Sequence, residues 1–542
     1  MDTLLNNTKK IIFHKQKDIL AGAIILSLMT VLSSIFGFVR LHTLATYYTK
    51  EELGIFFAAF RIPDFVFEML ITGALSSAFI PLFTKYRQDD EKLTENISTI
   101  INFIAVSLLT LIVVVIFTAP FIIPIITPGF DAQKNANVII FTQILVLCQL
   151  PFMVIGNIFS GIAQANKIFF ISALAPVLYN VGIILGTIFL HDSLGMYAPI
   201  AGVVIGSLLF FLTQLPVIFF VQFKYAFLSF KKSVLREFTH IFTPRLLSVL
   251  TTQIDLTIDL SLATLFGPAG VTIYFFAQRL QFFPVSFLGL AFGQASLPYL
   301  SDLFKEEKMD EIRKIFVSSI LQLLFLSIPI SLFFIFARTP LVRLFVGGQK
   351  FDWEGTVQTA RVLSYFSATL PFHTIFYFIT RAFFAIHNTK TPFIINFTAS
   401  IINTILSVLF VVYLHLPIWF LGLSFSITIV INILLLLRAF HREIKGFDTV
   451  KLIVNTSKIY FVALACAAIS FPIMKLLDGL IIDTSRTINL FILLITTGLL
   501  YTSLYFFICW LLNIEEMYIL GNLLIKMRAL KKMLSEMYTD GR

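Results

Sequence analysis

Apolar residues in this chain fall in long unbroken runs. They show neither the period-two alternation of half-buried strands nor the one-sided stripe of surface helices. Fourteen runs approach the roughly 20 residues a helix needs to cross a hydrocarbon core. They centre near Leu32, Leu70, Ile112, Val146, Ile183, Leu208, Leu250, Leu288, Phe325, Phe372, Ile402, Val430, Leu464 and Leu499. The run from Thr356 to His387 is long enough to be bent or steeply tilted. Barrel strands would be shorter and would alternate. The pattern predicts an all-α polytopic membrane protein with about fourteen transmembrane helices. The first run follows a polar, Lys-bearing start and shows no small-residue cleavage site, so it is expected to be a retained span.

Charge between the runs tests this count. With a cytoplasmic amino terminus, 28 of the 40 Lys and Arg residues fall in cytoplasmic segments, 7 in outer loops and 5 inside spans. That bias favours fourteen spans with both termini cytoplasmic. Leu520 to Leu534 places Leu520, Leu523, Leu524, Met527, Leu530 and Met533 on one face, as an amphipathic helix lying on the inner leaflet would.

A repeat organises the spans. RIPDFVFEMLITGALSSAFIP (Arg61–Pro81) is answered by RLQFFPVSFLGLAFGQASLP (Arg279–Pro298), and Pro120 by Pro340. ITPGFD (Ile126–Asp131) is answered by VGGQKFD (Val346–Asp352), and Asn180 by Asn403. The offset stays near 220 residues. Six spans per copy is an even number, so both copies insert the same way up and form a parallel repeat. The expected segments are a cytoplasmic start (1–19), a six-helix lobe (20–223), a second lobe (239–441), two further helices (457–512) and a cytoplasmic tail (513–542). Paired lobes of this kind enclose a central cavity and alternate its access, which favours a transporter over a channel, receptor or scaffold.

Composition narrows the class. At 58% hydrophobic and 13% charged, with mean hydropathy +0.91, the chain cannot be an ordinary soluble enzyme. Three cysteines, all in apolar runs, exclude a disulfide scaffold. The net charge of +10 is read as topology, so no nucleic-acid partner is expected.

An ionisable group at mid-membrane costs several kcal/mol and needs a reason. Arg40, Arg61, Arg279 and Arg381 could together make a cationic cavity, because guanidinium groups stay charged and bind phosphate oxygens bidentately. Arg61 could instead pair with Asp64 or Glu68. Arg361 reads as a residue reaching for the interface. Asp255 and Asp259 share a helix face and could hold a coupling cation or pair with an arginine. Gly37, Gly73 and Gly293 are read as close-packing positions, and Pro63, Pro284 and Pro371 as bends. The chain carries no HExxH, no phosphate-binding Walker loop and no DDxxD-like cluster, so neither a catalytic residue nor a metal site is expected. Without an ATP-binding domain, drive would come from a monovalent cation, the membrane potential or substrate removal.

At these residues the chain resembles the MurJ (MviN) lipid II flippase family, within the multidrug/oligosaccharidyl-lipid/polysaccharide exporter superfamily. The resemblance runs through SSIFGFVR (Ser33–Arg40), FFAAFRIPDF (Phe56–Phe65), GALSSAFIPLFTKY (Gly73–Tyr86), TPGF (Thr127–Phe130), RLQFFP (Arg279–Pro284) and NTKTP (Asn388–Pro392). It implies a monomeric transporter, not an enzyme, in the bacterial inner membrane. The substrate would be an undecaprenyl-diphosphate-linked peptidoglycan precursor, exported to the outer leaflet. Arg40 and Arg279 match family arginines and would bind diphosphate, with Arg61 or Arg381 assisting. The helices of 457–512 would form a groove for the lipid tail. Charges the family often carries are missing at Ser34, Leu41, Gly54, Phe67 and Gln278. Two other readings stay open: a flippase for another polyprenyl-linked oligosaccharide, and a non-transporting scaffold for wall synthesis.

Overall fold

The computed structural model describes residues 19–72, 79–86, 89–221, 224–484 and 486–518. Every regular element among them is helical. Helices pair all backbone groups within one segment, which is what a chain this apolar requires in lipid. The amphipathic stretch Leu520–Leu534 and Gly73 lie outside the described residues.

Among the described residues, eleven helices are long and apolar enough to cross a bilayer. A pair bent by 47°, Trp353–Ala368 with Leu370–Ala385, brings the number to twelve. The expected fourteen is not reached by these criteria, and the two runs that fall short are the second and the seventh. Of the second, the structure describes the helix Arg61–Phe67, the π-helical turn Glu68–Thr72 that follows it and the helix Ile80–Tyr86; residues 73–78 lie outside the described residues. The seventh is a single long helix, Lys232–Thr264, whose Gln253, Asp255, Asp259 and several threonines lower its hydropathy.

All three flagged prolines mark irregular backbone, since proline removes an intrahelical donor and crowds the preceding turn. Pro63 precedes the π-helical turn Glu68–Thr72, and Pro284 the π-helical turn Ser286–Leu290. Pro371 follows the bend in the tenth span.

The helices pack as two compact units, Met1–Phe275 with Phe345–Thr356, and Phe276–Leu344 with Val357–Arg542. This division differs from the sequence repeat. It assigns the seventh span and the start of the eighth, residues 267–275, to the first unit.

In the first unit, Phe83, Ile104, Ile162 and Phe238 bring the second, third, fourth and seventh spans into one buried cluster. The fifth and sixth spans, Phe169–Leu194 and Tyr197–Gln214, nearly touch along two glycine pairs. A Cβ on Gly182 or Gly186 would stand 2.4 or 2.3 Å from the Cα of Gly206 or Gly202. The segment before the seventh span is tied to the third. Ala226 N–H donates to Ser98 Oγ at 2.9 Å, Asn102 Nδ2 donates to the Ser229 carbonyl at 3.0 Å, and Lys231 pairs with Glu95.

In the second unit, Phe316 stacks on Phe440 at 4.2 Å within a core that includes Phe378 and Phe383. The last two spans, Thr449–Leu476 and Thr487–Leu511, join this core through tyrosines. Tyr505 Oη donates to the Phe325 carbonyl at 2.9 Å, and Tyr501 Oη to the Ala463 carbonyl at 3.3 Å.

Candidate functional site

The first unit holds Arg40, Arg61, Asp255 and Asp259. Arg40 is half-buried in the first span. One turn earlier, a Cβ on Gly37 would meet nothing within 4 Å. Gly37 is therefore not a packing position, contrary to expectation.

Arg61 has a different setting. Its Nη2 donates to the Gln253 carbonyl at 3.3 Å and to the Gln253 side-chain oxygen, while its Nε is buried without a partner. Asp64 and Glu68 lie within electrostatic reach. The guanidinium thus ties the second span to the seventh.

Asp259 is buried at 4% exposure and accepts from Tyr274 Oη at 2.9 Å. Asp255 is half-buried one turn away, within electrostatic reach of the same tyrosine. A buried carboxylate requires such a donor. Near the pair of spans that Arg61 joins lies an apolar cavity of about 100 Å³, lined by residues such as Met69, Phe103, Phe238 and Leu246. Its lining suits hydrocarbon and not a polar headgroup.

The second unit holds Arg279 and Arg381. Arg279 is exposed and Arg381 half-buried. Arg381 lies over the Phe384 ring at 5.6 Å. Gly293 is a packing position as expected: a Cβ there would come to 3.0 Å of the Tyr377 carbonyl and 3.3 Å of Arg381 Cγ. The eighth span therefore backs the arginine-bearing turn of the tenth. Arg361 sits over the Trp419 ring at 5.1 Å, a cation–π contact consistent with a structural role.

The missing charges have structural counterparts. Ser34 Oγ donates back to the Thr30 carbonyl at 2.9 Å, and Leu41 is buried at 4% exposure. Gly54 lies against the Pro268 carbonyl, where an added Cβ would stand 1.8 Å from the oxygen. No carboxylate could occupy position 54 in this packing.

Sequence reasoning missed three arrangements. Gln253 serves Arg61 from 192 residues away, and a neutral amide gave no signal. His373 pairs its Nδ1 with Gln281 Nε2 at 3.2 Å, flanked by Tyr377 and Phe425. Lys50, at the start of the helix Lys50–Ala59, and Asp352, in the loop before Trp353, form an ion pair of 2.8 Å. Among the described residues, no group of three or more His, Cys, Asp or Glu is placed to hold a metal ion.

A family profile described as "Lipid II flippase MurJ" matches residues 48–514. The "Probable lipid II flippase MurJ" of Borreliella burgdorferi is 26% identical over 425 residues, covering 77% of this chain and 83% of that protein. A solved structure titled "Lipid II flippase MurJ, inward closed conformation" superposes with a TM-score of 0.75 at 25% identity, covering 90% of this chain and 99% of that one. An inward-facing transporter of the multidrug resistance MATE family, in the MOP superfamily, shares the fold. It has a TM-score of 0.66 at 16% identity, covering 78% of this chain and 99% of its own.

Proposed function

The chain belongs to the lipid II flippase MurJ family, and from that premise we propose that it carries lipid II from the inner to the outer leaflet of the bacterial inner membrane. The observation that carries this reading is the profile match, which runs over residues 48–514, from the end of the first span through the last two. Transport proceeds by alternating access of a cationic cavity to the two faces of the membrane. Both termini are cytoplasmic, as the 28-to-7 distribution of cations supports.

Arg40 and Arg279 are the diphosphate ligands, and Arg381 assists. Their accessibility supports this, since each keeps surface for a phosphate oxygen to reach. Arg61 acts mainly as a brace, because Gln253 already takes up its Nη2. Binding is electrostatic, and the charge the ligand brings is what the guanidinium groups are held for. Asp255 and Asp259 are the acidic pair available to a coupling monovalent cation; Tyr274 would release Asp259 as the cation enters. The membrane potential is the alternative drive. The last two spans hold the polyprenyl tail.

A second reading, another polyprenyl-linked oligosaccharide, is favoured by one observation: packing has replaced charge at Leu41 and Gly54. Complementation separates the two. A bacterium depleted of its own lipid II flippase receives wild type, Arg40→Ala or Arg279→Ala at matched membrane levels. Rescue by wild type and loss of rescue in both variants is expected. Rescue by all three would remove these arginines from the mechanism. Failure of well-inserted wild type would move the substrate to another lipid-linked glycan.

A further inference from the structure

At one end of the first unit the two copies of the repeat meet through matched contacts. Phe57 and Phe275, equivalent positions 218 residues apart, stack on each other at 4.1 Å with planes 19° apart. At the same spacing Gly54 is equivalent to Thr272 and Lys50 to Pro268. Gly54 packs on Pro268, and Thr272 Oγ1 donates to the Lys50 carbonyl at 2.7 Å. Residues that touch their own equivalents define a local twofold axis.

Two loops obey the same axis. A Cβ on Gly129, in the first copy, would stand 1.8 Å from the Thr264 carbonyl oxygen at the end of the seventh span. A Cβ on Gly348, in the second copy, would stand 2.2 Å from the Ala45 carbonyl oxygen near the end of the first span. Each loop thus covers the end of the other copy's leading span.

The symmetry stops at the charges. Asp131 is satisfied locally: it accepts from the Lys134 N–H at 2.9 Å and pairs with Lys134 Nζ at 2.7 Å. Its equivalent, Asp352, accepts from the Gly355 N–H at 2.9 Å and reaches across to Lys50 Nζ at 2.8 Å. Glu354 adds a second carboxylate at 3.6 Å, and the Lys50 side chain is only 14% exposed. The position equivalent to Lys50 is Pro268, which offers no cation. The 127–131 loop is held by packing and by the Gly129 N–H donating to Thr264 Oγ1 at 3.3 Å.

We propose that the Lys50–Asp352 pair is the lock on this end of the first unit, and that the 346–352 loop must leave Lys50 before the end can open. Under the orientation given above, this is the outer end, and opening it would release substrate to the outer leaflet. The proposal rests on the transport reading for its use, but its test needs no substrate. The ion pair is partly withdrawn from water, so removing one partner strands the other, which costs more than losing a fully exposed pair.

The test uses the full chain in lipid nanodiscs, with spin labels at Gln133→Cys and Gln349→Cys after Cys148→Ser removes the exposed thiol. Both labelled positions are exposed, and the distance between them reports the two loops. Lys50→Ala is expected to raise the ratio of long to short distances about five-fold. The exchange Lys50→Asp with Asp352→Lys should move the distribution back toward wild type, and Lys134→Ala should leave it unchanged. The proposal is overturned if Lys50→Ala, eluting as a single species, gives the wild-type distribution. It is also overturned if Lys134→Ala has the same effect as Lys50→Ala. Because lipid II is absent throughout, a failure of the transport reading would show only in complementation.

Discussion

Arg61 keeps a charge among apolar helices because the seventh span supplies it with two oxygens from a single residue. Gln253→Leu would remove the side-chain acceptor and leave a half-buried guanidinium with one fewer. The expected loss is about 1–3 kcal/mol, read as a lower thermal midpoint of the detergent-purified protein. An unchanged midpoint would return Arg61 to the substrate-binding set. Arg40, Arg61, Arg279 and Arg381 were all visible in the sequence, because a cation inside an apolar run stands out. What each cation touches was not visible. Gln253 is neutral and distant in the chain, and the Asp259–Tyr274 bond joins the seventh span to the eighth through a phenol that looks like any other aromatic. Position 54 shows the limit most clearly. A missing carboxylate read as a change in the cavity, whereas the glycine is also demanded by the approach of Pro268.

The elements were legible where hydropathy is uniform. The third, fifth, ninth and twelfth spans are each single long helices, as their apolar runs imply. Legibility fell where polar groups dilute that signal, which is why the seventh is too polar to pass as an isolated helix. Such a helix is stable only against partners, and the Arg61, Glu237 and Phe238 contacts provide them. The last two spans depend on tyrosine anchors in the same way. Tyr505→Phe leaves the Phe325 carbonyl with no hydroxyl and should lower stability by about 0.5–1.5 kcal/mol. Thermal unfolding monitored by size-exclusion chromatography would check it. Gly186→Leu should be worse, because the facing Gly202 backbone has no room to retreat. Overpacking of about 1–3 kcal/mol would appear as reduced recovery of monodisperse protein, and wild-type recovery would refute the close contact.

For the molecule as a whole, the closed end should be insensitive to pH across the physiological range. Burial alone would raise the Asp352 carboxyl, but the hydrogen bond from Lys50 and the Gly355 N–H outweigh it and hold it below the ordinary carboxylate value. Burial alone would lower Lys50; Asp352, Glu354 and Glu51 outweigh that and hold it above the ordinary lysine value. A depressed carboxyl contributes stability above its unfolded pKa and loses it as pH falls through the folded one. A raised lysine contributes stability below its unfolded pKa and loses it as pH rises through the folded one. Both partners are therefore charged from about pH 4 to about pH 10. The Gln133–Gln349 distance distribution should be constant between about pH 5 and pH 9, and a shift inside that window would bring another titrating group into the lock. The repeat itself was plain in the sequence, but not that the second copy's leading helix packs with the first. That exchange bears on descent. Phe57 against Phe275, and each loop capping the other copy's leading helix, are contacts of the kind an isologous homodimer makes. A six-span ancestor would have buried these same surfaces between two identical chains. Fusion into one polypeptide freed the halves to diverge, and a lysine on one side of the axis with a proline on the other is a change that no symmetric dimer could have made.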